Sequence, residues 1–344
     1  MKMILKRIQS AAPIRVCDIG GWTDTWFAGH GAVFNIAVSP YVEVQITVFP
    51  RENEKRVTLV MENFNDTYSL DPDNIVYDRH PLIEAAIDTM DIPGDYGLNI
   101  NIFSEAPSGA SVGTSAAVCV ALIGALDALT PGRMTPHEIA ELAHKVETER
   151  LGWQSGIQDQ LASAYGGINF IHMHMFPHSS VTSLDVSQNL RWELERRLSL
   201  IYIGSPHNSS EVHKMVIADL GESAGNDSRI ETLRTLAVEA RRAMVSSKLD
   251  ALGQVMNRNS GAQEALHPGL VCEKFEEVIE IANFYNALGC KINGAGGDGG
   301  SITILGNGDV AVKRQMISTL QNKGYSSIPV FLSPYGIRVW NAFT

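Results

Sequence analysis

Pro107-Ser108-Gly109-Ala110-Ser111-Val112-Gly113-Thr114-Ser115-Ala116-Ala117 is the stretch on which the reading of this chain turns. It follows Leu98 to Phe103, LNINIF, whose alternation of apolar and polar residues predicts a strand. It runs into Ala116 to Leu129, whose small and leucine-rich composition predicts a helix. A strand, a glycine loop and a helix in that order suit a phosphate group: small residues let backbone N–H groups approach its oxygens, and the positive end of the helix dipole points at them. Thr114 and Ser115 add hydroxyls suited to phosphate or Mg2+. No Lys follows Gly113, so this is not a Walker A loop. Small residues ahead of a helix also permit plain tight packing, and the loop alone does not separate the two uses.

Outward from the loop, β-branched runs at Val33 to Val38 and Val42 to Val48, punctuated by Gly and Asp, predict paired strands near the N-terminus. Pro136 to Leu151 reads as an amphipathic helix with Thr135 as its N-cap, and INFIHMHMF after Gly166-Gly167 as a strand. Ser179 to Asn189 reads as a connection or edge strand, and the division between two regions, 1–189 and 190–344, is expected there. The second region predicts strands at Leu198 to Ile203, Ser301 to Leu305 and Ser327 to Leu332. Helices are expected around Glu211 to Leu220, Arg229 to Val245, Leu249 to Asn259, Phe275 to Leu288 and Val310 to Asn322. Two or three strands with helices between them make a small α+β sandwich, so the fold class is α+β in two domains.

At 344 residues the chain suits two domains, and 44% apolar residues supply ordinary cores. A net charge of −11 with no Lys/Arg run argues against a nucleic-acid partner, so any anionic ligand is held locally. Cys17, Cys119, Cys272 and Cys290 form no CxxC pair, which fits reduced thiols in the cytoplasm better than a disulfide frame or a zinc site. The start lacks the apolar core of a signal peptide, and no run of about 18 apolar residues occurs, so neither secretion nor a membrane span is expected.

Two further segments bear on the loop. One is Ala12-Pro13-Ile14-Arg15-Val16-Cys17-Asp18-Ile19-Gly20-Gly21-Trp22-Thr23-Asp24-Thr25, an Arg and carboxylates among glycines. The other is Lys291-Ile292-Asn293-Gly294-Ala295-Gly296-Gly297-Asp298-Gly299-Gly300, a flexible loop before an apolar strand. Three such segments in this order resemble the signature motifs of the GHMP kinases, and the resemblance spans nearly the whole chain. GGWTDT resembles the sugar-binding segment of the fucokinase group. ETERLGWQSGIQDQ followed by YGGINF resembles the heptose-phosphate kinases, and GIQDQ is similar to the GIMDQ of galactokinase. Ser111-Val112 stands where that family's loop usually reads Gly-Leu, a change expected to affect loop flexibility more than chemistry.

The resemblance implies an N-terminal domain with a left-handed βαβ unit, a ferredoxin-like C-terminal domain, ATP and Mg2+ as cofactors, and a sugar or sugar phosphate in the cleft between them. Asp159 matches the catalytic aspartate that orients or deprotonates the acceptor hydroxyl; an Asp capping a turn gives the same letter. Arg15 matches the Arg beside that aspartate; pairing with Asp18 on an exposed strand is the bland alternative. Glu147, twelve residues before Asp159, matches the Mg2+-binding glutamate with Ser115 as companion, and Glu149 is its competitor. Asp24 matches the acceptor of sugar hydroxyls, with Gly21, Trp22, Thr23 and Thr25 shaping the pocket, although Trp22 also reads as core. The phosphate loop is carried over as Pro107 to Ser115, and the C-terminal glycine loop as Gly294, Gly296 and Gly297.

Ser209, Ser210 and His213 resemble a region near the substrate, or a capped helix start. Lys145, Arg150, His207 and Lys214 are the cations available to an acidic substrate group. His172, His174 and His178 alternate as one strand face does, and no Cys or carboxylate cluster joins them into a metal site. The implied reaction is phosphoryl transfer to a sugar hydroxyl, the anomeric one first, with a heptose 7-phosphate as leading acceptor and a free hexose, pentose or uronic acid close behind. A non-catalytic sugar sensor on the same fold and a mevalonate- or homoserine-type kinase are the rivals. A monomer or homodimer is expected.

Overall fold

β1, Lys6–Ile19, and β2, Gly31–Pro50, pair antiparallel from Lys6↔Val48 to Ile19↔Phe34 and form the spine of the protein, whose computed structural model describes residues 3–204 and 209–342. The first half of β2 is buried at every position through Val38, while from Tyr41 buried and solvent-facing residues largely alternate. The runs Val33 to Val38 and Val42 to Val48, expected as paired strands, are instead two parts of this one strand, the first covered on both faces and the second on one.

The chain continues through β3, Val57–Met61, β4, Asp66–Leu70, α1, Pro81–Asp88, and β5, Tyr96–Ser104. It then forms α2, Thr114–Asp127, α3, Pro136–Lys145, α4, Gln158–Tyr165, β6, Ile168–Met175, β7, His178–Ser183, and α5, Gln188–Arg197. The expected division at 189/190 falls inside α5. One edge of β2 changes partner along its length: Gly31 to Ile36 pair with β6, and Val42 to Pro50 pair with β5. The segment between β5 and β6 carries the glycine loop and packs α2 and α4 onto β1 and β2. Because α2 is apolar and small all round, it is buried nearly all round. α3 starts on a full capping box between Thr135 and Glu138, worth about 1 kcal/mol. The helix expected to reach Leu151 stays α-helical only to Lys145 and widens into a π-turn over Val146–Arg150, closed by Leu151 N–H donating to the Val146 carbonyl at 3.2 Å.

The second region comprises β8, Leu198–Tyr202, α6, Ser209–Leu220, α7, Ser228–Val245, α8, Leu249–Leu266, and α9, Glu273–Phe284. It closes with β9, Gly289–Ile292, β10, Ser301–Leu305, α10, Val310–Asn322, and β11, Ser326–Ile328. Its four-stranded antiparallel sheet has the order β11-β8-β10-β9, the split βαβ arrangement of a ferredoxin-like domain. Four strands replace the expected two or three. The additional one, β9, contains Lys291 and Ile292, two residues that the sequence places in the glycine loop.

The last strand is β12, Arg338–Asn341, which returns to the first sheet and pairs with β1 from Ile8↔Asn341 to Ala11↔Arg338. Ser327 to Leu332, read as one strand, holds only β11 and a bridge from Leu332 to Val38. On the way to β12 the chain crosses the turn after α4: Gly167 N–H donates to Ser333 O at 2.7 Å, and Ser333 N–H to Ala37 O at 2.9 Å. Three of the cysteines are buried, Cys272 is half-buried, and all four are free thiols. Among the described residues no helix is long and apolar enough to cross a membrane.

That crossing generates a test. Gly166 and Gly167 both have positive φ, +66° and +73°, but a Cβ on Gly166 would fall 2.1 Å from the Tyr335 carbonyl carbon, whereas on Gly167 the nearest atom is 3.9 Å away. Gly167→Ala is expected to cost about 1–2 kcal/mol for its φ alone, and Gly166→Ala roughly 2–4 kcal/mol, because backbone must move as well. Urea denaturation of both variants checks this; equal losses would refute the close approach.

Candidate active site

The end of β1 delivers Arg15 and then turns sharply. The turn is internally bonded: Thr23 Oγ1 donates to Gly20 O at 2.8 Å and accepts from Ala32 N–H at 3.0 Å, and Thr25 Oγ1 donates to Trp22 O at 2.6 Å. It carries the buried Asp24 against the segment that precedes α4, where Asp24 Oδ2 accepts from Gln158 N–H at 3.0 Å. A side chain at Gly156 would place its Cβ 2.1 Å from that oxygen, so the glycine of GIQDQ is required by contact with Asp24.

Asp159 follows in the first turn of α4. Arg15 donates to it twice, Nε to Oδ1 at 2.8 Å and Nη2 to Oδ2 at 3.1 Å, the two-pronged pairing that fixes both groups. The third prong, Nη1, donates to Ser111 O in the glycine loop, and Arg15 N–H donates to Val112 O at 3.0 Å. Asp18 stands 3.9 Å from Arg15 as well. Arg15 is buried, not on an exposed strand; burial opposes its charge, but Asp159 and Asp18 outweigh that and hold the guanidinium above its usual range.

Gly113, at φ +73°, caps α2 without a side-chain bond, so the first N–H groups of α2 face the cavity unspent by a cap. Asp159 lies directly behind: a Cβ on Gly113 would be 3.2 Å from its carboxyl carbon. Ser111 itself takes φ +57°, a region that favours glycine, at the position where the sequence departs from the usual Gly-Leu. From the second sheet, Ser301 Oγ donates to Ala110 O at 2.6 Å, and side chains at Gly294 or Gly300 would collide with Ser111.

These elements enclose a cavity of about 420 Å3, within the usual range for small-molecule sites. Its lining brings together Arg15, Asp24, Asp159, Glu147, Ser115 and the loop from Ser108 to Thr114, with Gly21, Trp22, Thr25 and Gly294. Pro107, Thr23, Gly296 and Gly297 are not in the lining. Thr23 is bonded inside its turn, while Gly296 and Gly297 pack on Leu270, whose carbonyl accepts from Gly297 N–H at 2.8 Å. Trp22 both lines the cavity and packs with Val212 and Val216. Lys145, Arg150 and Lys214 are exposed and outside the lining; His207 and the side chains of Ser209, Ser210 and His213 fall outside the described residues. Ser155 and Gln160 hold Glu147, and the Gln158 N–H holds Asp24; all three belong to the GWQSGIQDQ segment, whose letters alone do not single them out.

The π-turn separates the two candidate glutamates: Glu149 is exposed, while Glu147 is buried and faces the cavity. Ser155 Oγ and Gln160 Nε2 donate to Glu147 Oε2 at 2.6 and 2.8 Å. Burial nevertheless raises its pKa to about 7, with Asp159 adding to the effect. Asp24 rises to about 6, chiefly by burial, with the Gln158 N–H drawing it down and Asp159 pushing it up. The donor set fits the nucleotide and its metal: Ser111 Oγ and Thr114 Oγ1 are buried hydroxyls with no partner among the described residues, and Glu147 and Ser115 are hard oxygens in the same cavity, as Mg2+ requires. His172 and His174 stack edge to face at 4.3 Å on β6, and among the described residues no group of three or more His, Cys, Asp or Glu is placed to hold a metal.

The profile described as GHMP kinases N terminal domain matches residues 80–167. The chain is 28% identical to the bifunctional fucokinase/GDP-fucose pyrophosphorylase of Arabidopsis thaliana over 89% of its own length and 30% of that protein's. It is 30% identical to a mevalonate kinase of Pyrococcus abyssi, over 80% of this chain and 78% of that one. It is 24% identical to the D-glycero-alpha-D-manno-heptose 7-phosphate kinase of Campylobacter jejuni, over 98% and 99%. Among solved structures, a heptose 1-phosphate kinase from Bacteroides thetaiotaomicron matches with a TM-score of 0.74 at 18% identity, covering 98% of this chain and all of that one. Lactococcus lactis galactokinase complexed with galactose matches with a TM-score of 0.76 at 19% identity, covering 97% and 95%. At these identities the two structures show the fold.

The raised pKa of Asp24 predicts a pH signature. An unfolded Asp loses its proton near pH 3.9. Between about pH 4 and 6 the folded chain therefore keeps a proton that the unfolded chain has lost, and this contribution to stability falls as pH rises, then levels off. Asp24→Asn is expected to be more stable than the parent at about pH 8 by roughly 1–3 kcal/mol, with the gap closing by about pH 4. Urea titrations across this range measure it, and a gap independent of pH would contradict the burial argument.

Proposed function

The chain belongs to the GHMP kinase family, and on that premise we propose that it transfers the γ-phosphoryl group of MgATP to a hydroxyl of a sugar, the anomeric one first. The observation that carries this is the Arg15–Asp159 pair standing immediately behind the helix N-terminus of the glycine loop, with Asp24 bonded to the same α4 segment. A hydroxyl beside Asp159 thereby sits next to the place where a phosphate would bind. Asp159 accepts its proton, and Arg15, fixed on both Asp159 oxygens and on Ser111 O, keeps that carboxylate aimed and adds positive charge where the transferred group passes. Asp24 accepts from sugar hydroxyls beside Trp22. Ser111, Thr114 and the first N–H groups of α2 would hold nucleotide phosphates, and Glu147 and Ser115 would hold Mg2+, which supplies charge neutralisation when bound.

Similarity to the Campylobacter enzyme supports a heptose 7-phosphate as the acceptor. A specific observation favours a free sugar as the second reading. Among the described residues lining the cavity, Arg15 supplies positive charge and is already paired, whereas Asp18, Asp24, Glu147 and Asp159 are acids. An acceptor phosphate would have to find its cation elsewhere.

Coupled ADP release with MgATP, over a panel of heptose 7-phosphate, free hexoses and pentoses, fucose, uronic acids, mevalonate and homoserine, tests both readings. Turnover of a sugar or sugar phosphate is expected. Asp159→Asn should lower kcat by about 10²–10⁴-fold with ATP binding retained. Asp24→Ala should mainly raise the KM for the sugar. Turnover confined to mevalonate or homoserine would overturn the sugar assignment, and sugar binding without turnover would make the protein a sensor.

A further inference from the structure

A buried ion pair reaches from the cavity wall into the second sheet and takes no part in the mechanism above. Lys291 on β9 and Asp18 at the end of β1 are each 1% exposed, and Lys291 Nζ donates to Asp18 Oδ1 at 3.3 Å and to Gln263 Oε1 at 3.2 Å. Such a pair is expensive to desolvate and is strongly disrupted when one partner is lost. The other Asp18 oxygen, Oδ2, accepts from Gly294 N–H at 2.9 Å and faces Arg15 Nη2 at 3.9 Å. One carboxylate thus touches both β9 and the C-terminal glycine loop on one side and the guanidinium that aims Asp159 on the other.

The surroundings continue the same seam between the two sheets. Asn293 Oδ1 accepts from Cys17 N–H at 3.2 Å and from Thr303 Oγ1 at 2.9 Å, and Asn293 Nδ2 donates to Ser301 Oγ at 3.1 Å. Ser301 then donates to Ala110 O in the phosphate loop. Every one of these donors or acceptors is buried, so each link would leave an unsatisfied group if the sheets parted.

We propose that Asp18 is a positioning residue, held by Lys291 and Gly294, that fixes the Arg15 guanidinium against Asp159, so that the transfer site is complete only when the second sheet is docked on the first. The functional part of this rests on the kinase reading above. Arg15 is thereby steadied by Asp159, by Ser111 O and by Asp18, and the last of these reports the position of the C-terminal region.

The test uses the full chain. Asp18→Asn keeps the shape and an acceptor for Gly294 N–H; it is expected to lower kcat by about 10–100-fold while the KM for ATP changes by less than about twofold. The neutral double variant Asp18→Asn/Lys291→Met should recover the thermal midpoint without recovering kcat. In an Arg15→Lys background, Asp18→Asn should have little further effect on kcat, because the group it positions is gone. Wild-type kcat in the neutral double variant, or the same fold-loss with and without Arg15, would make the pair purely structural and overturn the proposal. Urea midpoints of wild type, Arg15→Gln, Asp18→Asn and their double variant need no turnover: non-additive shifts support the contact and additive shifts overturn it. If the wild type turned over no acceptor, the kinase reading would fail alone, and the urea cycle would still decide the contact.

Discussion

Two prongs of the Arg15 guanidinium on the two oxygens of Asp159 join residues 144 positions apart, and most of the site is arranged to permit that contact. Arg15 reaches Asp159 because β1 is buried beneath α2 and α4, because Gly113 leaves room for the carboxylate, and because the turn after β1 carries Asp24 to the backbone of α4 rather than into solvent. A charge so buried is tolerated only with its partners in place. The glycine loop is pinned by the same guanidinium through Ser111, so one residue fixes both the Asp159 carboxylate and the loop.

The change of partner along β2 produces the cleft. β5 and β6 run in the same direction along one edge of β2, and as one continuous strand they would have had no loop between them. Instead the segment between them is long enough to carry three helices, and it returns to β2 with α4 lying against β1. The second sheet closes the other side of the loop through Gly294, Gly300 and Ser301, where absent side chains matter more than present ones. Acidic groups crowd the resulting cavity. Asp24 and Glu147 are pushed toward protonation by burial, an arrangement suited to a cation and to sugar hydroxyls, both of which bind acceptor oxygens.

Much of the candidate site was legible because the motifs that resemble the GHMP kinases are local. The loop from Ser108 to Ser115, the GGWTDT turn and GIQDQ are each a few residues long, and the structure gathers them round one cavity. The choice between Glu147 and Glu149 was visible only as spacing; the π-turn, which no periodicity announces, sends one inward and the other out. β9 and β12 escaped because each is a four-residue strand: one has a Lys at a buried position, and the other is a largely exposed edge whose partner lies at the far end of the chain. Lys291 looked like part of a loop because a buried Lys contradicts hydrophobic patterning unless a carboxylate from another sheet is waiting for it.

The sequence by itself determined the α+β class and the order of strand, glycine loop and helix, since these rest on periodicity and on short-range backbone requirements of Gly and Pro, whereas the candidate site residues came from the resemblance to the GHMP kinases. Tertiary structure alone decided that Arg15 faces Asp159 with Asp18 behind it, that Gly156 exists to admit Asp24, and that Gly296 and Gly297 serve packing on Leu270 rather than the cavity. The reason is physical: hydrogen bonds and ion pairs across long separations depend on which surfaces are buried against each other, and burial is a property of the packed chain, not of any window within it.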